Sequence, residues 1–191
     1  MTIIINEIRD FVIWIAFLLP GKLGSLLRKF IGKILFKKFS VGASLGQHTS
    51  FVAARNISLD SNVTFDSYCY LNSEGGEITI GAKTSFNRNV SLNASVGGCI
   101  EIGKDCLIGP GAYFRTASHK YKNRNVAIKN QGHKVENIII GTNVWLGANV
   151  VVLPGVKIGD GCVVAAGTVL TKSFSKNQII AGVPAKSIGQ R

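Results

Sequence analysis

From Ile140 onward a large apolar residue recurs at every sixth position: Ile140, Leu146, Val152, Ile158, Val164 and Leu170. Four places further along each hexad stand Val144, Val150, Val156, Cys162, Thr168 and Phe174, mostly smaller. The same spacing runs through Ile102, Ile108 and Phe114, through Ile80, Phe86 and Leu92, and less regularly through Val41, Gln47, Ala53, Leu59, Phe65 and Leu71. Seventeen of these eighteen hexads open on an apolar residue, Gln47 being the exception, so a period of six organises residues 41–175. Gly, Asn or Asp fills most of the following positions, among them Gly42, Asp60, Asn72, Asn93, Gly109 and Gly147.

Six residues match neither a helix nor an alternating strand, but they do match a short strand plus a tight turn, three to a coil. The large residue points inward, and Gly or Asn permits the backbone of the turn. Six coils stacked at the strand spacing predict a triangular column about 29 Å tall. Each coil pairs with the one above and below, so only the two ends need covering. The expected architecture is an all-β solenoid over 41–175, with residues 1–40 and the tail 176–191 as the segments available for its ends.

Residues 1–40 follow a different rhythm. Phe11 to Leu19 is an unbroken apolar run of nine residues, too short to span a bilayer. Glu7, Arg9 and Asp10 precede it and basic residues follow, the reverse of a signal peptide. From Lys22 to Phe39, Leu23, Leu26, Leu27, Phe30, Ile31, Ile34 and Leu35 recur at helical spacing, with Lys22, Arg28, Lys29, Lys33, Lys37 and Lys38 between them. This pattern predicts a basic amphipathic helix. Two uses fit it: lying in a membrane interface against anionic lipid, or capping the solenoid or an oligomer with its lysines solvated. The extra apolar surface of Phe11–Leu19 favours the first.

Charge sharpens the picture. Basic residues number 22 and acidic residues 10, a net charge of +12, of which residues 1–40 carry +5 and residues 115–139 another +5. Two local patches point to anionic partners at two places, whereas a nucleic-acid binder would show one continuous basic face with aromatic platforms. Cys69, Cys99, Cys106 and Cys162 form no CxxC pair and lie in apolar or small surroundings. They are expected as reduced, buried thiols in an intracellular protein, and no metal is expected.

Three insertions interrupt the period. Leu71–Ile80 and Leu92–Ile102 gain three and four residues around Gly75-Gly76 and Gly97-Gly98, whereas Phe114–Ile140 gains twenty. A long loop in a compact repeat is a place for function. This one, 115–139, holds His119 and His133, two of the three histidines. His119 closes the hexad FRTASH, where the chain leaves the rigid coil. Imidazole titrates near neutrality, so a fixed His119 can take a proton from an attacking hydroxyl.

The stretches IIIGTNVWLGANVVVLPGVKIGDGCVVAAGTVLTK and IIAGVPAK resemble the hexapeptide-repeat acyltransferases, in the branch of the galactoside, maltose and virginiamycin acetyltransferases. The likeness is strongest to the sugar O-acetyltransferases of bacterial surface-polysaccharide clusters. It covers about residues 41–191 and implies a left-handed parallel β-helix, a homotrimer and acetyl-CoA as cosubstrate. IGKDCLIGPGAYFRTASH matches the segment that ends on the family's essential histidine, here His119. The acceptor-positioning asparagine maps onto Asn89 in FNRNVSL, with Asn87 as the alternative; either is equally readable as a turn residue. His133 in QGHKVE resembles a string common in polysaccharide O-acetyltransferases, where it would orient the acceptor or the base, and reads equally as a solvated loop residue; Arg115 is assigned to the acceptor. Trp145, Ala148 and Ala166 fall along the pantetheine arm, with the Ala148 N–H as oxyanion donor, and Thr171, Lys172 and Lys186 fall near the nucleotide phosphates. In the soluble sugar acetyltransferases polar residues of an N-terminal helical segment help hold a small sugar; residues 1–40 here are apolar and basic.

The expected protein is therefore a cytoplasmic O-acetyltransferase, peripheral on the inner face of the cytoplasmic membrane. It would act on a sugar hydroxyl of a surface polysaccharide or its lipid-linked precursor. N-acetylation of a nucleotide-linked amino sugar and a catalytically silent membrane-bound scaffold are the rival readings. A zinc carbonic anhydrase of the same fold would need three convergent histidines, and His48 lies far from the other two along the solenoid.

Overall fold

The computed structural model describes the backbone of residues 2–191 and the side chains of residues 7–191. Three parallel sheets form the faces of a solenoid, each coil giving one strand to each face. On the first face Leu59, Ile80, Ile102, Ile140 and Ile158 lie in register on successive coils. Phe65, Phe86, Ile108, Leu146, Val164 and Ile180 do so on the second. Phe51, Leu71, Leu92, Phe114, Val152 and Leu170 do so on the third. The side chain that opens each hexad thus stacks on its counterpart in the next coil, and nearly all of them are buried.

The first coil corrects the phase read from the sequence. Its inward residues are Phe39, Leu45 and Phe51; Val41 is 84% exposed, and Gln47 and Ala53 also lie outside the stack. A short helical turn, Ala54–Asn56, adds two residues between Phe51 and Leu59 and shifts everything before it. That turn has no apolar marker, so the period alone could not register it.

All four insertions leave from one corner, between the third and first faces, and pile on one another. The Asn56 side-chain amide donates to the Ser73 carbonyl, the Val96 N–H to the Glu74 carbonyl, and the Thr116 hydroxyl to the Gly97 carbonyl. At the other two corners the coils approach too closely for side chains at the turn glycines. A Cβ on Gly147 would lie 2.6 Å from the Ala166 nitrogen, and one on Gly109 would lie 2.5 Å from the Gly147 carbonyl carbon. Gly147→Ala is expected to cost about 1–3 kcal/mol, because stacked backbone cannot move aside; an unchanged thermal midpoint would contradict the close approach.

Two helices cover the lower end, α1 (Thr2–Leu18) and α2 (Gly21–Leu35). Phe17 and Phe36 meet Phe51 and Phe39 edge-on, at 5.2 to 5.6 Å between ring centroids. The helical pair thus packs its aromatic residues onto the first coil. Helix α2 stops at Leu35, short of the Phe39 that periodicity suggests, because Phe36 turns extended and Lys38–Phe39 pairs with Ser58 and Leu59. Arg28, grouped by the sequence with solvated lysines, is buried: its guanidinium donates to the carbonyls of Ala16, Leu19 and Leu45. At the upper end an antiparallel hairpin, Gln178–Ala181 with Lys186–Gln190, extends the second face.

Candidate active site

The long insertion folds into a hairpin. Ala117–His119 pairs antiparallel with His133–Val135, and the register sets His119 directly opposite His133. Their rings lie 4.2 Å apart between centroids, His119 exposed and His133 half-buried. The coil itself ends at Arg115, so His119 projects on the first strand of the hairpin.

The hairpin is tied to the coil at its root. The Arg115 Nε donates to the Ala117 carbonyl at 3.0 Å, and the Glu136 N–H to the Thr116 carbonyl at 2.9 Å. At its tip the Gln131 amide donates to the carbonyls of Asn123 and Val126 at 2.8 and 2.7 Å, while its oxygen accepts from the Asn123 N–H. Sequence reading noticed the Gln-Gly-His string only for its histidine; Gln131 is what closes the tip. Between tip and root lies an open cavity of about 820 Å³, lined by His119, Tyr121, Asn123 and Gln131 with Lys120, Lys122 and Lys134. Lys134 pairs with Glu136 at 2.7 Å. The cavity presents the His119 imidazole among lysines, with His133 against its ring, and suits a hydroxylated ligand bearing negative charge.

The other residues singled out in the sequence fall on two corners. Asn87 and Asn89 stand at the corner between the second and third faces, about 10 Å of strand away from the hairpin root. Asn89 sits at φ 59°, in line with Tyr68 below and Asn149 above, which also adopt left-handed conformations. It is thus a turn asparagine by conformation. The Asn87 side chain donates to the Ile108 carbonyl at 3.2 Å. Within one chain the structure does not bring either asparagine to His119.

Ala148 and Ala166 stack on the same corner as Asn89. The Ala148 carbonyl accepts from the Gly167 N–H at 2.8 Å, and among the described residues the Ala148 N–H has no protein acceptor. Trp145 is 54% exposed on the second face, and its neighbour in register, Leu107, is 56% exposed. The sequence reading overlooked Leu107, although it precedes Ile108 just as Trp145 precedes Leu146. Thr171 and Lys172 sit at the corner between the third and first faces, two coils above the hairpin root, with the Lys172 ammonium 5.6 Å above the Phe174 ring, and Lys186 lies exposed on the C-terminal hairpin.

The cysteines are poor nucleophiles. Burial pushes the Cys69 thiol up to about 11, and burial also raises Cys106 and, with the carboxylates of Glu77 and Glu101, Cys99. Cys99 is only half-buried, unlike the other three. Among the described residues no cluster of three or more His, Cys, Asp or Glu side chains could hold a metal ion. His48 lies three coils below His119, stacked on Tyr68.

Residues 137–172 match the family of bacterial transferase hexapeptide proteins (six repeats). The chain is 35% identical over 117 residues to a galactoside O-acetyltransferase of Escherichia coli (strain K12), covering 61% of this chain and 55% of that protein. It is 37% identical over 115 residues to the putative lipopolysaccharide biosynthesis O-acetyl transferase WbbJ of the same organism, covering 54% and 58%. The chain thus spans a little over half the length of these curated relatives. Among solved structures, the S84T mutant of AntD, an N-acyltransferase from Bacillus cereus, in complex with dTDP and coenzyme A, shares the fold. It superposes with a TM-score of 0.74 over 86% of this chain and 88% of that one, at 23% identity.

Proposed function

We propose that this chain, which carries the hexapeptide repeat of the bacterial transferases, is an acetyl-CoA-dependent O-acetyltransferase acting on a sugar hydroxyl. The acceptor in this reading is a bacterial surface polysaccharide or its lipid-linked precursor. The enzyme works in the cytoplasm, at the inner face of the cytoplasmic membrane, with peripheral contact through residues 1–40. The observation that carries the reading is His119, which lines an open cavity of the hairpin and whose ring lies 4.2 Å from that of His133 between centroids.

The chemistry is direct transfer. His119 takes the proton of the sugar hydroxyl as its oxygen attacks the acetyl carbonyl, and CoA leaves as the thiol once the tetrahedral intermediate collapses. The proton the sulfur takes as it leaves is the one His119 removed from the hydroxyl, so the imidazole returns to its neutral form. No covalent acyl-enzyme is required, in keeping with thiols that burial holds protonated. Acetyl-CoA supplies the activated acyl group.

A homotrimer completes the site in this reading. The exposed Trp145 and Leu107 would then line a crevice between adjacent columns, taking the pantetheine arm along Ala148 and Ala166. There the free Ala148 N–H would face the developing oxyanion. Asn87 or Asn89 of one column would reach an acceptor held by His119, His133 and Arg115 of the next. Thr171, Lys172 and Lys186 would meet the nucleotide phosphates.

The test is acyl transfer from acetyl-CoA labelled in its acetyl group to surface glycan stripped of acetyl esters. The expected product loses its label in mild alkali. Label that persists in alkali marks an amide and overturns O-acetylation in favour of an amino-sugar acceptor. Failure to bind CoA in calorimetry overturns the enzymatic reading in favour of a scaffold.

A further inference from the structure

We infer that the α1–α2 hairpin is a docking surface for anionic phospholipid, and that it splits its lipid contact into an apolar stripe and a separate row of lysines. Helix α2 presents three faces. At about 100° per residue, Ile31 and Leu35 point one way, into the cap, with the guanidinium of Arg28 beside them. Leu23, Leu26, Leu27, Phe30 and Ile34 cluster on a second face and are 36% to 64% exposed. Lys22, Lys29 and Lys33 fall on a third, next to that stripe. The apolar stripe therefore exceeds what the cap consumes.

Helix α1 continues the surplus. Ile8, Phe11, Val12, Trp14, Ile15 and Leu18 are also exposed, from 36% to 59%. Val12 and Ile15 face Leu27, Phe30 and Ile34 across an almost wholly apolar groove of about 420 Å³, so the two stripes form one surface. An apolar patch of this extent marks an interaction site. Arg28 clamps both helices to the first coil through three carbonyls, so the surface is held rigidly.

Charge selects the occupant. Lys37 and Lys38, nearest the solenoid, pair with Glu77 and Asp60, both at 3.2 Å. Among the described residues Lys22, Lys29 and Lys33 have no carboxylate within ion-pair distance, and α2 holds no acidic residue. A second copy would bring the same unpaired lysines, Lys22, Lys29 and Lys33, against this one and be repelled. An anionic bilayer takes the stripe into its acyl boundary and the lysines against its headgroups. Among the described residues no helix is long and apolar enough to cross a membrane, so the contact is interfacial.

This inference rests on the peripheral placement in the reading above and not on acetyl transfer, so the experiment measures lipid binding alone. The full chain is sedimented with phosphatidylcholine vesicles, with and without phosphatidylglycerol. Binding is expected only with phosphatidylglycerol, falling as salt rises. Lys22→Gln/Lys29→Gln/Lys33→Gln should weaken it roughly a hundredfold, at about fivefold per lysine. Trp14→Ser/Phe30→Ser should abolish it while leaving the circular dichroism spectrum unchanged. His119→Ala should bind as wild type does, which keeps a failure of the catalytic reading distinct from a failure here. Equal binding to both vesicle types, or none, overturns the inference. So does a drop in solution mass of Trp14→Ser/Phe30→Ser without vesicle binding by wild type, which would assign the face to a second copy.

Discussion

Replacing His119 with Ala is expected to slow acetyl transfer by roughly a hundred- to ten-thousand-fold, the range typical for loss of a positioned general base. The fold should be unaffected. The side chain is exposed, its ring lies against that of His133, and the backbone pairing of Ala117–His119 with His133–Val135 needs no imidazole. Steady-state assays should therefore show the loss mainly in kcat, while the thermal midpoint stays at the wild-type value. A variant within a few-fold of wild type would remove His119 from the mechanism. His133, the imidazole opposite it in the hairpin, would then be the candidate base.

Arg28→Ala should be the most damaging single change in the N-terminal cap. Arg28 is 5% exposed, and desolvation pulls the pKa of its guanidinium below the ordinary value, yet the group makes three hydrogen bonds of 2.9 to 3.0 Å. Two of its acceptors, Ala16 and Leu19, are at the end of α1, where helix carbonyls lack intrahelical partners. The third, Leu45, belongs to the first coil. Truncation would leave the buried Ala16 and Leu45 carbonyls and the part-buried Leu19 carbonyl without this donor, at about 1–3 kcal/mol for each buried acceptor, so a total of about 3 kcal/mol is expected. The loss should be local as well as global. Limited proteolysis should cut between α1 and the solenoid far faster than in wild type, and the thermal midpoint should fall. A midpoint unchanged within error would mean that the aromatic contacts of Phe17 and Phe36 with Phe51 hold the cap without the arginine.

Much of the fold was legible because a parallel solenoid repeats one local rule. Each hexad needs an inward apolar residue and a turn that its own few residues can specify, so Ile140 to Leu170 announced their faces one by one. Insertion lengths at Leu71–Ile80, Leu92–Ile102 and Phe114–Ile140 followed from counting. The first coil did not, because the turn Ala54–Asn56 adds two residues with no signal of its own and displaces Val41, Gln47 and Ala53 from the stack. Helical periodicity likewise gave α2 one apolar side. It could not say that Ile31 goes to the cap while Phe30 and Ile34 face outward.

The chain's own residues settled the repeat, the place where it is broken, and the presence of His119 at that break, since each depends on neighbours within a few positions. Only the tertiary structure decided that His133 lies against His119, that Gln131 closes the tip, and that Asn87 and Asn89 stand at a different corner from the imidazoles. It also decided that Arg28 is a buried clamp and not a solvated charge. These facts turn on which distant carbonyls, rings and coils meet, and that is fixed by how coils stack and how the hairpin registers. A one-dimensional period carries no record of either.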